Sequence, residues 1–494
     1  MPGLWKKKSL ELLRAEAAES EHGLRRTLGP LALMSLGIGA IVGAGIFVLS
    51  GVAAQHTGPA LVLSVILSGV GCAFAGLCYA EFAAMIPVAG SAYTYSYATI
   101  GEFLAWIIGW DLILEYAVGA TTVSIGWSGY FVSFLERTLH IPFPAELSKS
   151  PWEQPMQLPG GTTVHTLFNV PAAFIILLIT TLLIIGIRES ANFNNFIVMV
   201  KVGVVLLFIL VGALYVNRAN WHPFLPPNQG VFGDFGFSGV LRGAGIIFFA
   251  YIGFDAVSTA AQEARNPERD MPIGILGSLG ICTVLYIAVV MVLTGLVPFR
   301  QLNVADPLAI AIDSTPAHAW LSPIVKIGAL LGTTAVILVM MLGQTRVFYS
   351  MAHDGLLPTA FGRIHARFRT PYASTALTGA CVAVAGGLLP LRIVGELVSI
   401  GTLLAFVIVS ASVMVMRKRH PEIRRPFRTP CVWLVGPLAI VVCGGQMLGL
   451  PRDTWIRLFV WMAIGLVIYF SYSRRQSVLR IAQRKQDSGH GTRD

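Results

Sequence analysis

Charge is what this 494-residue sequence has least of, with Asp, Glu, Lys and Arg together making up 12% of it against about a quarter in soluble domains. A chain that is 55% hydrophobic cannot cover itself with so few polar groups, which excludes an ordinary water-soluble globule. Cysteine is also scarce. Cys72, Cys78, Cys282, Cys381 and Cys443 fall within apolar runs and Cys431 at the edge of one, with no spacing that suggests a zinc site or a disulfide framework. No metal or cofactor is expected. The histidines (His22, His56, His140, His165, His222, His318, His353, His365, His420 and His490) lie in loops or at the ends of apolar runs. The Gly126-Trp127-Ser128-Gly129 motif therefore lacks the base that a serine nucleophile at membrane depth would need, and no enzyme is expected. Gly37-x-Gly39-x-x-x-Gly43 misses the dinucleotide fingerprint, and no nucleotide-binding loop occurs, so ATP-driven chemistry is disfavoured.

Long apolar runs are what the sequence has in quantity. Stretches of about 20 helical residues, enough to cross a ~30 Å hydrocarbon core, fall near 31–52, 59–86, 102–134, 168–187, 193–217, 239–262, 273–297, 320–349, 372–390, 393–416, 430–450 and 454–473. They predict an all-α membrane protein of about twelve transmembrane helices. Of the 35 Lys and Arg, roughly 25 fall on one side if the N-terminus is cytoplasmic, which puts both termini inside a multi-pass plasma or inner membrane protein. The net charge of +10 is thereby explained as a topology signal and a contact with anionic membrane lipid, and no nucleic-acid partner is expected. Residues 1–27 are too polar for a cleaved signal peptide and read as a short interfacial helix.

Gly37-Ile38-Gly39-Ala40-Ile41-Val42-Gly43-Ala44-Gly45-Ile46-Phe47 places four glycines inside the first run. Each costs a helix roughly 0.5–1 kcal/mol relative to alanine, so the helix is expected to break there. Freed backbone groups at membrane depth need protein, water or a ligand, which makes the stretch a binding-site candidate. The alternative is close helix packing through Gly39 and Gly43. Span six repeats the oddity, with Gly253 and Asp255 in mid-run after Phe248-Phe249-Ala250-Tyr251-Ile252. Two interrupted spans, five apart, are the sign of an inverted-repeat transporter in which spans 1–5 and 6–10 are inverted copies. The chain then divides into a cytoplasmic segment (1–28), the core (29–420), a peripheral pair of spans (421–475) and a tail (476–494). Asp111 and Glu115 share one face of span three. Glu81, at the end of span two, reads as a buried structural acceptor. Lys201 lies about 12 Å into span five, where it either snorkels to the interface or faces inward. No other basic residue is expected at depth.

These residues resemble the amino acid, polyamine and organocation transporters, and within them the twelve-helix bacterial form of the cationic amino acid transporter branch. The likeness runs from Leu24 to about Tyr472. It is carried by Gly37 to Phe47, Gly101-Glu102 to Glu115, Lys201, Phe248 to Asp255, Arg265-Asn266-Pro267-Glu268-Arg269-Asp270 and Met271-Pro272-Ile273-Gly274. Ala44 stands where relatives often have Thr, and Gln262 where they often have Glu. The resemblance implies a LeuT-like 5+5 fold with broken helices 1 and 6, and proton-driven uptake of an amino acid. The N–H groups of Gly43, Ala44 and Gly45 suit a carboxylate, and the carbonyls of Ile41, Phe249, Ala250 and Ile252 suit an ammonium. Phe249 is the expected gate. By its match to the family's lysine, Lys201 is expected to couple protons, bridging the chain near Gly39 to Thr333 or Thr334. Glu115 and Asp255 are the acids best placed for a cationic side chain (arginine, lysine, ornithine). Asp255 reads equally as a helix N-cap, and Glu115 as a structural hydrogen-bonding group or a partner of Lys201. An exchanger, a symporter of small neutral amino acids and a non-transporting sensor are the alternatives, and a small accessory membrane protein is a candidate partner.

Overall fold

The computed structural model describes residues 8, 28–86, 91–153, 156–157, 163–186, 191–368 and 370–481. The interfacial helix expected over 1–27, the 87–90 turn, most of the tail and the side chain of Gln262 lie outside the described residues.

With few polar side chains available, the chain satisfies its backbone by helix formation. Among the described residues, eight helical runs are long and apolar enough to cross a membrane, and three shorter apolar helices accompany them, Val170–Ile185, Gly236–Tyr251 and Tyr372–Leu388. Among the described residues, strand structure is confined to one antiparallel pair, β1 (Met156–Gln157) with β2 (Thr163–Val164), and a single parallel bridge between Leu28 and Ala264.

The first run starts as α1 (Pro30–Ile41), stops, and resumes through a wide π-turn at Gly45–Leu49 into α2 (Ser50–Thr57). Gly58, at φ +62°, turns the chain into α3 (Leu61–Met85). α4 (Ser91–Thr99) precedes span three, which is α5 (Glu102–Ile113), a π-turn over Leu114–Val118, then α6 (Gly119–Ser133). Next come α7 (Val170–Ile185) and α8 (Ala191–Ala213), which carries Lys201. Span six is α9 (Gly236–Ile247), a 3₁₀ turn over Phe248–Tyr251, a break, and a 3₁₀ segment over Asp255–Glu263. The long α10 (Pro267–Leu296) packs along α1 and α3. The short α11 (Pro307–Asp313) leads into α12 (His318–His353), α13 (Tyr372–Leu388) and α14 (Leu391–Arg419). Last are α15 (Val432–Gly449) and α16 (Arg452–Ile468). α16 rests on α5 through the stacked indoles of Trp110 and Trp461, 4.6 Å between centroids.

Buried charges tie the ends of this bundle together. Glu81 accepts two bonds from Arg417, at 3.0 and 2.6 Å, and one from the Thr429 amide at 2.8 Å, the structural role expected of it. Glu102 accepts from Arg480 at 2.8 Å and from the Tyr469 hydroxyl at 3.0 Å. Asp354 accepts from Lys8 at 2.7 Å and from Tyr93 at 2.6 Å. Lys326 corrects the expectation that Lys201 is alone among basic residues at depth. It is 1% exposed and lies 3.5 Å from the Ser133 carbonyl and 4.0 Å from Asp313, enclosed by span three and the α11 segment before its side chain can reach water.

Candidate substrate and coupling site

The break in span one begins after Ile41, where Val42 turns to ψ 97° while its N–H still reaches the Ile38 carbonyl at 2.9 Å. The next ladder opens on the Gly43 carbonyl, which accepts from Ile46 at 3.2 Å and Phe47 at 3.1 Å. The N–H groups of Gly43, Ala44 and Gly45 therefore stand ahead of the second half-helix, as the first donors of any helix do. All three residues are buried, so these donors meet protein or a ligand rather than bulk water. In span six, Ile252 is extended (ψ 138°) and Gly253 sits at φ +113°, a conformation that L side chains rarely adopt.

The two breaks touch. A Cβ on Gly45 would collide with the Ala250 backbone, and one on Gly253 would lie 2.8 Å from the Ala40 carbonyl. Glycine is required at both places by close approach, and at Gly253 by φ as well. A chain bridge fixes the far ends of the same pair, the Leu28 amide donating to the Glu263 carbonyl at 3.0 Å and the Arg265 amide to that of Leu28 at 2.8 Å. The expected ammonium acceptors differ in their surroundings. The Ile41 carbonyl accepts from the Tyr286 hydroxyl at 2.8 Å, and that of Phe249 from the Ile252 amide at 3.2 Å. Among the described residues no backbone N–H takes up the carbonyls of Ala250 and Ile252.

Lys201 faces inward. Its ammonium donates to the Gly39 carbonyl at 2.7 Å and the residue is fully buried, so the snorkelling alternative is not the arrangement adopted. Its stem passes α12 at Gly332, where a Cβ would be in ordinary contact with Lys201 Cγ at 3.5 Å and with the Phe47 ring at 3.5 Å. Thr333 follows directly and is fully buried, its hydroxyl donating to the Ala329 carbonyl at 2.6 Å. Thr334 is engaged elsewhere, donating to the Leu330 carbonyl at 2.7 Å and accepting from Trp127 Nε1 at 3.0 Å.

The acids gather on the other side of the breaks. Asp111, Glu115 and Asp255 are each at most 1% exposed. Glu115 lies beside Asp255 and near Asp111 and Thr402, and Asp255 Oδ2 accepts from the Tyr116 hydroxyl at 3.1 Å. The π-turn over Leu114–Val118 brings this about. One extra residue in the turn lets both Glu115 and Tyr116 face inward, a distortion common at functional sites. Phe254, not Asp255, stands at the N-cap position, and Asp255 is the first residue of the 3₁₀ segment, which corrects the N-cap reading. The rings of span six are mostly core. Phe248 and Phe254 pack on Phe406, and Tyr251 on Tyr286. Phe249 stacks on no other ring among the described residues, and it is the ring next to the Gly45–Ala250 crossing. Ser128 donates to Asn169 Oδ1 at 2.6 Å, a structural bond. Sequence reasoning missed Tyr116, Tyr286, and Tyr130, whose hydroxyl donates to the Phe47 carbonyl at 2.7 Å. A phenol inside an apolar run is the signal that could have marked them, because a buried hydroxyl must find an acceptor.

Two discontinuous helices in contact at their breaks are the arrangement in which membrane transporters commonly place a substrate site. The chain belongs to the amino acid permease family, whose profile matches residues 28–470, within the superfamily that the sequence resembles. It is 46% identical to the methylthioribose transporter of Bacillus subtilis (strain 168), over 97% of this chain and 100% of that one. It is 47% identical to the branched-chain amino acid permease BcaP of the same organism, over 96% and 99%. It is 36% identical to the vacuolar cationic amino acid transporter 4 of Arabidopsis thaliana, over 85% of this chain and 68% of that one.

Proposed function

We propose that this permease is a proton-coupled symporter that carries amino acids with small or apolar side chains by alternating access, through a core of two inverted five-span repeats within twelve spans. The observation that carries the reading is the crossing of the two breaks at Gly45 and Ala250. In this reading the N–H groups of Gly43, Ala44 and Gly45 and the carbonyls of Ala250 and Ile252 face one substrate. A zwitterion satisfies both sets, and a molecule lacking either end leaves groups unpaired at about 1–3 kcal/mol each. Phe249 closes over the substrate, and apolar cover strengthens the polar contacts beneath it. Lys201 holds the first half-helix to α8 through Gly39 while charged and lets go on losing its proton. The core occupies 29–420, with 421–475 peripheral and both termini cytoplasmic.

The preference for an apolar side chain is supported by the neighbours of the crossing. Val336 packs on Gly43, Val48 on Gly126 and Met340 on Gly119. The name of one Bacillus relative, the branched-chain amino acid permease BcaP, points the same way. A second reading, cationic substrates, is favoured by the buried acids, since Glu115 and Asp255 could neutralise an arginine or lysine side chain. Against it, Asp255 Oδ2 already accepts from the Tyr116 hydroxyl.

Counterflow into proteoliposomes decides between these readings, with labelled leucine displaced by leucine, alanine, arginine or methylthioribose. Leucine and alanine are expected to compete, and Phe249→Ala to raise the leucine KM. Competition by arginine above leucine would move the assignment to cationic substrates. Competition by methylthioribose alone, which has neither carboxylate nor ammonium, would overturn the zwitterion site, and absence of any counterflow would overturn carriage itself.

A further inference from the structure

A cavity of about 670 Å³ opens where the first turns of α10 meet the segment joining α14 to α15, walled by Asn266, Arg269, Pro272, Ile273, Arg424 and Phe427 among others. It plays no part in the crossing described above. Arg269 and Arg424 bring two guanidinium groups to it against one carboxylate, Glu268. Arg424 is paired to Glu268 at 3.3 Å, with side chains 83% and 47% exposed, and an ion pair so exposed contributes little, about 0–1 kcal/mol. Exchanging it for a better anion is therefore cheap. At the start of α10 the Asn266 amide donates to Asp270 Oδ2 at 3.1 Å, and the attraction for an anion rests on the two arginines.

Beyond the cavity, whose lining ends at Gly277 beside the Met34 side chain, the outer face of α10 carries exposed apolar residues. Ile273, Ile281 and Val284 are 37%, 43% and 68% exposed, with Gly277 and Gly280 between them. These positions recur at helical spacing on one face. From Ile273 to Val284 the helix rises about 16 Å, close to half of a ~30 Å hydrocarbon core, the depth of one leaflet. A basic mouth at the loop level above an apolar track of one-leaflet length matches one kind of molecule. We propose that this groove is a binding site for a single anionic phospholipid, its phosphate held between Arg269 and Arg424 and an acyl chain laid along Ile273, Ile281 and Val284. The excess of guanidinium over carboxylate selects a headgroup with net negative charge over a zwitterionic one.

The test is native mass spectrometry of the purified full chain in detergent, titrated with dioleoyl phosphatidylglycerol, dioleoyl phosphatidylcholine or dihexanoyl phosphatidylglycerol. The wild type is expected to retain one long-chain phosphatidylglycerol in preference to phosphatidylcholine. The double variant Arg269→Gln, Arg424→Gln should bind it roughly tenfold or more weakly, taking the usual gain per basic residue near a lipid surface. Arg474→Gln, away from the groove, should match wild type and reports on general charge attraction. Equal retention of the two long-chain lipids, or wild-type binding by the double variant, would overturn the site. Equal binding of the dihexanoyl lipid, or displacement by millimolar inorganic phosphate, would show an anion site without a lipid track and overturn it as well.

Discussion

Gly43 and Gly45 stand two residues apart and face different neighbours. A methyl on Gly45 would run into the Ala250 backbone, which cannot rotate away, whereas one on Gly43 would meet Val336 Cγ2 at 2.7 Å, the end of a side chain. Overpacking of this kind costs about 1–3 kcal/mol, more than the ~1 kcal/mol that alanine gains over glycine in a helix. Gly45→Ala is therefore expected to lower the apparent Tm in detergent and to abolish counterflow, and Gly43→Ala to lower Tm less. Equal Tm values for Gly45→Ala and wild type would remove the close crossing from the account. The need for glycine was legible in the sequence here, because four glycines in one apolar run weaken a helix and mark a place where it breaks or is closely approached. Which glycine meets backbone was not legible, since that depends on span six, some 200 residues away. Lys201 was legible for a similar reason: a lysine inside an apolar run needs a partner, and it has the Gly39 carbonyl. Lys326 escaped the same reasoning because it lies nearer the end of its span, where a lysine ordinarily reaches water.

At the scale of elements, span three departs from a regular helix where its acids sit. Periodicity placed Asp111 and Glu115 on one face, and both are buried, but the π-turn that brings Tyr116 inward beside Asp255 was not legible. One added residue in one turn leaves no mark in a hydrophobic pattern. The terminal segments show the same limit. Arg480 reaches Glu102 across 378 positions and Lys8 reaches Asp354 across 346, pairings that local pattern cannot reveal. The first clamps the start of α5 to the end of the described chain, and the second ties residue 8 to the end of α12. Removing one partner of a buried pair costs about 3–5 kcal/mol, and the Tyr469 hydroxyl on Glu102 places Arg480→Ala at the low end of that range. Thermal unfolding in detergent should show a clear loss of stability for Arg480→Ala and a smaller one for Arg480→Ala with Glu102→Gln, which removes the stranded charge. If the double variant is no more stable than the single one, the clamp is not electrostatic.

For the whole molecule, the apolar runs and the paired breaks carried the class, because a lipid solvent permits few backbone solutions. The side chain of the substrate was not legible. The acids that suggested a cation are buried side by side, and Asp255 Oδ2 accepts from the Tyr116 hydroxyl, a bond that only the folded chain displays. The central claim is that substrate movement is tied to proton movement through Lys201. The direct measurement is leucine accumulation by proteoliposomes under an inward proton gradient, run beside counterflow without a gradient, in wild type and Lys201→Gln. Glutamine keeps a hydrogen-bond donor for Gly39 but cannot titrate. The wild type is expected to accumulate leucine and the variant only to equilibrate it, with counterflow surviving in both. Accumulation by Lys201→Gln at the wild-type level, or a wild type indifferent to the gradient, would contradict the account.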